Sequence, residues 1–235
     1  MSKSKGNTVD PEQVYSQYGV DVFRYFLLSE AGMQDDTDFS HERISVRYTN
    51  ELAVNIGNLI KRAAAPALNK HSGYPPYHPN LLSSEEKDHV SSASKMVDEV
   101  SFLFDHLDFR QGITAINKFL QNLNKMWSII EPWNLAKETD PSRESHKRVD
   151  NLLYITLHSV RISSVLLLPV MPSKMSHLLD LLGVQESQRD MKGLRASLHS
   201  FSQVSLSPTA FSSSDLSDKI LFPPLTPKKE QKKKK

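Results

Sequence analysis

The sequence predicts an all-α protein: a small helical module followed by an antiparallel helical bundle. Three observations carry this. Apolar residues recur at three- and four-residue steps through most of the chain, which lines them up on one face of a helix. Capping residues open these stretches, and glycine or proline closes them. No strand-length run alternates apolar with polar.

Each element follows in order. Asp10-Pro11-Glu12-Gln13 is a helix start, with Asp10 as cap, Pro11 at the first helical position and Gln13 able to reach back. Gly19 stops this short helix. Residues 20–30 form a second helix, apolar around most of its circumference and so buried on more than one side. Residues 32–39 are a turn-rich acidic connector. Ser40 with Arg43 opens a long helix to about Ala65, with Ile44, Tyr48, Leu52, Ile56, Leu59, Ile60 and Ala63 inward. Three prolines and a glycine make 71–80 a loop.

Ser84-Glu85-Glu86 starts the next helix, with Val90, Val97, Val100, Phe104 and Leu107 inward. Asp108 and Gln111 cap another, whose stripe runs Ile113, Ile116, Leu120, Leu123, Trp127 and Ile130 before Pro132 breaks it. Asp140-Pro141 repeats the cap-then-proline start for a helix running to about Leu168. A last short helix runs from Pro172 to Leu182, stopped by Gly183. Beyond it, 185–217 is serine-rich without a clear period, expected to be a loose wrap or disordered. Residues 218–225 form a short apolar segment able to dock on the bundle. The divisions are 1–39, 40–183, 184–225 and a disordered lysine-rich tail, 226–235.

Composition narrows the chemistry. The chain has no cysteine, which excludes disulfides, thiolate catalysis and cysteine zinc sites. The nine histidines are scattered without a ligand-type pair, so no metal site is expected. The longest apolar stretch, 165–171, is far short of the roughly 20 residues that span a bilayer. The net charge of +2 hides an asymmetry: the tail 228–235 holds six lysines and one glutamate, leaving the body at about −3. A polyanion would therefore be met by local patches. The tail itself offers nonspecific phosphate contact or serves only to keep the chain soluble.

The first seven residues, Met1-Ser2-Lys3-Ser4-Lys5-Gly6-Asn7, are hydroxyls, ammoniums and a glycine around one methionine. Such a segment suits meeting phosphate; the plainer reading is a frayed polar end. Asn58 and Arg62 lie four apart and share a helix face away from the apolar stripe, where an amide and a planar guanidinium can meet base edges. The plainer reading there is a solvated face. Trp133 follows the breaker Pro132 and can present its ring to an unpaired base, whereas Trp127 lies on the stripe and belongs to the core.

These residues resemble a family. Residues 1–7, followed by Val9-Asp10-Pro11 and the run 18–28, are similar to the signature loop and next segment of class I aminoacyl-tRNA synthetases. Their motif reads Lys-Met-Ser-Lys-Ser. The stretches 38–62, 129–138, 161–175 and 220–225 resemble landmarks of the helical anticodon-binding domain that follows, in the right order. Among these enzymes the resemblance is to the methionyl-tRNA synthetases, mitochondrial type, C-terminal portion, since the chain begins at the motif's methionine. Lys5 stands where leucine is more usual.

The resemblance implies a methionine–tRNA ligase. Met1, Ser2, Lys3 and Ser4 would belong to the ATP-closing loop, with Lys3 catalytic. Asn58, Arg62, Pro132 and Trp133 would bind the anticodon, and 40–183 would be the anticodon-binding domain. ATP would be the substrate, with Mg2+ expected beside it in the complete enzyme. The implied partner is methionine tRNA, the state a monomer without membrane, the compartment the mitochondrial matrix. By itself the chain is expected to bind tRNA and not to aminoacylate. The alternatives are a non-catalytic tRNA-binding module, a protein-interaction bundle, or another synthetase of the same subgroup.

Overall fold

The computed structural model describes residues 11–30, 39–71, 73–138, 140, 143–198, 221–223 and 225. The expectations for the opening loop (Met1, Ser2, Lys3 and Ser4 among them), for Asp10 and Pro141, and for the lysine tail lie outside these residues. So do those for most of the acidic connector and for 199–217. The described residues form helices and turns, with no strand among them.

Helix α1 (Pro11–Tyr18) ends at Gly19, whose φ of +81° only glycine adopts without penalty. Helix α2 (Val20–Glu30) follows directly. Asp21 accepts a 2.6 Å hydrogen bond from the backbone N–H of Lys174. Arg24 donates to the carbonyls of Pro169 and Val170 at 2.7 and 3.1 Å. Glu30 pairs with Arg43 and Arg47. Burial acts to raise the Glu30 carboxyl, but the two guanidiniums outweigh it and hold it below the ordinary value.

The long helix is continuous but not uniform. It comprises α3 (His41–Arg47), a π-helical stretch (Tyr48–Gly57) and α4 (Asn58–Ala64). Ser40 caps it, accepting from the Arg43 N–H at 3.1 Å. Among the buried positions, Ile44, Tyr48, Leu52, Ile56, Ile60 and Ala64 form a row at four-residue steps, with Asn55, Leu59 and Ala63 buried beside it. In an α-helix each such step overshoots a full turn by about 40°, so the stripe would drift around the rod. The looser winding of a π-helix falls short of a turn in four residues and reverses the drift. The π stretch therefore keeps both ends of a four-residue stripe against one core.

Helices α5 (Ser84–Asp105) and α6 (Phe109–Ile130) form a hairpin. The cap of α5 is Ser83, one residue before the predicted start, and its capping box with Glu86 is complete. Asp108 caps α6 as expected, accepting from the Gln111 N–H at 3.1 Å. Leu107 is not inward: it sits in the turn, exposed, with φ +61°. Val90 and Phe104 are half-buried. After Ile130, Glu131 takes a left-handed φ of +49°, and α7 (Pro132–Leu135) begins with proline at its first position.

Helix α8 (Glu144–Leu167) is the central element. Its cap position is Arg143 and not Asp140. Every residue from Asn151 to Leu167 is buried, because α4, α5, α6, α7 and α9 (Pro172–Leu181) surround it. Some of the polar residues enclosed with it are held at close range: Thr156 accepts from the Trp127 indole N–H at 2.9 Å, and Asn151 exchanges hydrogen bonds with the His78 backbone at 2.7 and 2.9 Å. Within the stretch expected to lack regular structure, Met191–Leu198 forms α10, which buries Leu194 and rests on α8 and α5. Arg161, buried in α8, donates to Ser197 of α10 at 2.9 Å. Near the end of the chain Phe222 is buried beside Tyr48, whose hydroxyl donates to the Pro223 carbonyl at 2.5 Å.

Candidate nucleic-acid interface

At the α4 end of the long helix, Asn58 and Arg62 share a face, as their spacing requires. Both are half-buried, and α4 runs beside α6. The Arg62 guanidinium donates to Asn124 Oδ1 at 3.4 Å and lies over the Trp127 ring, 5.9 Å from its centre. Trp127 is fully buried, as its place on the stripe predicts. Its indole N–H is held by Thr156, so the ring cannot turn without losing that bond. The guanidinium is thus flanked on one face by an aromatic plane and on one edge by an amide. Its other N–H groups remain for a ligand. The Asn58 amide makes no hydrogen bond among the described residues and stands one turn away.

The α6–α7 corner carries the other two predicted residues, Pro132 and Trp133. The left-handed Glu131 reverses the chain, and its N–H closes on the Trp127 carbonyl at 3.2 Å. Pro132 is buried at the corner, so its part is to set where the chain emerges. Trp133 then projects with 44% of its surface exposed, and Ile129 of α6 is 69% exposed. An exposed indole next to a chain corner offers a plane on which an unpaired base can stack. Lys61 is exposed on α4 next to Arg62. The Lys137 ammonium donates to Asn134 at 2.9 Å.

The patch has a polar foundation that spacing alone did not single out. Asn124 donates to Asn55 Oδ1 at 2.8 Å. Asn55 donates to the Asn117 backbone carbonyl at 3.2 Å and to its side-chain Oδ1 at 3.5 Å. Asn117 donates to the Tyr25 hydroxyl at 2.7 Å, and Tyr25 donates to Glu51 at 2.7 Å. Arg47 closes the far end on Glu51 at 2.7 Å. Burial first, and then the Glu51 charge, pushes the Tyr25 hydroxyl well above its ordinary range, so it stays a neutral donor. The available signal was positional: Asn117 and Asn124 lie seven apart on one face of α6, at the edge of its apolar stripe.

A family profile described as tRNA synthetases class I (M) matches residues 1–64. The chain is 32% identical to a probable mitochondrial methionine–tRNA ligase of Dictyostelium discoideum over 80% of its length. It is 36% identical to the methionine–tRNA ligase of Mycobacterium leprae, again over 80%. Its fold superposes on Mycobacterium tuberculosis methionyl-tRNA synthetase bound by methionyl-adenylate with a TM-score of 0.81, 32% identity and 95% of this chain covered. The chain belongs to the methionyl-tRNA synthetase family. It spans about a third of the length of the curated relatives, 33% and 35% for the two ligases, and 41% of the solved structure. The all-α fold agrees with that membership. Among the described residues no helix is long and apolar enough to cross a membrane, and no cluster of histidine and carboxylate side chains is placed to hold a metal ion.

Proposed function

We propose that this chain is part of a methionine–tRNA ligase, carrying the end of its ATP-closing loop and the surface that binds the tRNA anticodon. In that enzyme class the methionine carboxylate attacks the α-phosphate of ATP, giving methionyl-adenylate and pyrophosphate, and the aminoacyl group then passes to tRNA with release of AMP. Pyrophosphate departure concentrates negative charge on the phosphates. A cationic loop can stabilise that charge most in the transition state, and Lys3, with Ser2 and Ser4 as donors and Met1 before them, is our assignment for it. Mg2+ would arrive with ATP. Adenylate formation would need the part of the relatives that this chain does not match, so for the chain alone we expect RNA binding without aminoacylation. Methionine-dependent pyrophosphate exchange by the purified chain would contradict that.

The observation that carries the reading is the patch at the α4 and α6–α7 ends. Arg62 is flanked, with free N–H edges, the Asn58 amide stands one turn away, and Trp133 is exposed at the corner that Pro132 sets. Single-stranded RNA is read by this combination of stacking plane, amide and guanidinium. With the divisions we propose at 39/40 and 183/184, the patch would belong to the helical domain. The mitochondrial matrix is the compartment we favour, on the strength of the Dictyostelium relative's description. A monomer suffices, since the patch is built within one chain.

The test is a fluorescence titration with an RNA stem-loop carrying the anticodon CAU. Arg62→Ala and Trp133→Ala are expected to weaken binding, and changing any anticodon base is expected to weaken it for the parent chain. If both substitutions leave binding unchanged, the assignment of the patch is wrong.

A further inference from the structure

The hydrogen bonds beneath Arg62 all run one way. Arg62 donates to Asn124 Oδ1 at 3.4 Å and Asn124 to Asn55 Oδ1 at 2.8 Å; Asn55 donates to the Asn117 backbone carbonyl at 3.2 Å and to its side-chain Oδ1 at 3.5 Å; the Asn117 NH2 donates to the Tyr25 hydroxyl at 2.7 Å, and Tyr25 to Glu51 at 2.7 Å. A guanidinium stands at one end and a carboxylate at the other. Each amide in such a chain can face only one way, because its NH2 and carbonyl ends have opposite roles. Asn124 presents its oxygen to Arg62 because its NH2 is committed to Asn55 at 2.8 Å and to the Asn55 carbonyl at 3.2 Å. Asn55 presents oxygen to Asn124 because its own NH2 is committed to Asn117. The order is set at Glu51, the chain's only acceptor-only side chain. A line of bonds polarised in one direction also strengthens its members.

We infer that Glu51, Tyr25 and Asn117 are positioning residues for the base-reading guanidinium of Arg62. They act through Asn55 and Asn124, without touching RNA. This rests on the reading that Arg62 contacts the anticodon. The segments involved are ones the fold holds rigid. Asn55 and Asn117 are buried, Tyr25 is 1% exposed, and Glu51 and Asn55 lie on the π stretch four apart. The geometry of the patch is thereby fixed from α2, an element that contributes nothing to its surface.

Two measurements on the whole chain test this. The first uses RNA-free protein: the 15N-1H NOE at the Arg62 Nε, which reports guanidinium order. Tyr25→Phe, which removes the hydroxyl and little else, is expected to lower it while Trp127 stays ordered. The second is a double-mutant cycle on binding of the CAU stem-loop. Tyr25→Phe and Glu51→Gln are each expected to weaken binding about 3- to 10-fold in the parent and to have no further effect in an Arg62→Ala background, the signature of acting through that residue. An unchanged NOE, or the same fold-loss in both backgrounds, overturns the inference. If Glu51→Gln unfolds the chain, the Tyr25→Phe arm decides alone. If Arg62→Ala leaves RNA binding intact, the anticodon reading fails, and the NOE still decides whether the chain of bonds orders Arg62.

Discussion

The guanidinium carbon of Arg62 lies 5.9 Å from the centre of the Trp127 ring, and that ring's N–H is bound by Thr156 at 2.9 Å. A residue of the helix core thus serves as the bed for a residue at the surface. The two tryptophans divide the work: one is fully buried under the guanidinium, the other exposed at the corner.

Their substitutions are expected to separate accordingly. Trp133→Ala removes a half-open ring and little packing. It should leave the melting temperature nearly unchanged and weaken the stem-loop by about 1–3 kcal/mol for each base that stacks on it. Trp127→Phe removes a donor from a fully buried site and leaves a small void. It should cost roughly 1–3 kcal/mol of stability, with weaker RNA binding following from a less ordered Arg62. Thermal melts paired with titrations check both, and a large melting shift for Trp133→Ala would contradict its exposure.

Acid should weaken the fold through His89 before most carboxylates titrate. His89 is stacked on Phe119 with centroids 4.3 Å apart and shares a 3.0 Å hydrogen bond with Ser159. Burial pushes its pKa from 6.5 down to about 4. Between those values the unfolded chain binds a proton that the folded chain refuses. Stability is therefore full above about pH 6.5 and falls as pH drops toward 4, by about 1.4 kcal/mol per unit at most. His158 has the same sign, burial and then the Arg161 charge holding it well below its ordinary value. Buried Glu86 has the opposite sign: burial raises its carboxyl above 4.5, and it gains proton-linked stability as pH falls through that raised value. His89→Gln keeps a hydrogen-bonding group near Ser159 and removes the titration. Its urea midpoint should fall less steeply than the parent's between pH 6.5 and 4.

Local chemistry made much of this fold legible. Gly19 and Gly183 end their helices at φ +81° and +68°, Ser40 and Asp108 cap theirs, and the apolar stripe of α6 is buried as spaced from Ile113 to Trp127, with Ile130 half-buried at its end. The π stretch was not legible: its buried residues step by four from Ile44 to Ile56, but Leu59 and Ala63 beyond it restore the mixed three- and four-residue steps of an ordinary α-helix. What escaped depends on neighbours distant in sequence. Arg161 and Asn151 look like solvent-facing residues of α8 until the surrounding helices enclose them. Helix α10 is anchored by the single buried Leu194 in a serine-rich context. In the candidate site, Arg62 and Trp133 were legible as residue types beside helix ends. The chain of amides behind Arg62 was not, because an asparagine at a stripe's edge becomes informative only when its partner on another helix is known.

The α5–α6 turn carries a correctable strain. Asp108 N–H bonds the Leu103 carbonyl at 2.8 Å, and Leu107 N–H bonds that of Phe104 at 3.0 Å. The same pair of bonds ends α9, from Val184 to Leu179 and from Gly183 to Asp180 at 2.9 and 3.0 Å. There the left-handed position is glycine; here it is Leu107, at φ +61° and 51% exposed. A left-handed non-glycine residue costs roughly 1–2 kcal/mol, partly offset by the freedom glycine restores to the unfolded chain. Leu107→Gly should therefore raise stability by about 0.5–1 kcal/mol. A lower melting temperature would mean that Leu107 makes a packing contribution its exposure does not suggest.

Two helical glycines should respond oppositely to the same methyl group. Gly57 closes the π stretch with helical dihedrals, and a Cβ there would meet only the Leu52 carbonyl at 3.4 Å, an ordinary contact. Alanine removes the conformational entropy that glycine loses on folding. Gly57→Ala should stabilise by about 0.5–1 kcal/mol. Gly112 lies where α6 crosses α5, and a Cβ would fall 2.3 Å from Phe104 Cε1 and 2.7 Å from its Cδ1. The ring must leave or the helices must part, because packed side chains do not compress. Phe104 is half-buried near the end of α5 and can swing outward only by exposing apolar surface. Gly112→Ala should therefore destabilise by roughly 1–3 kcal/mol despite alanine's better helix propensity. Adding Phe104→Leu to Gly112→Ala should recover part of that loss, since the smaller side chain vacates the contested space. Chemical denaturation of the two single variants and the double variant measures all three, and equal effects at both glycines would refute the packing argument.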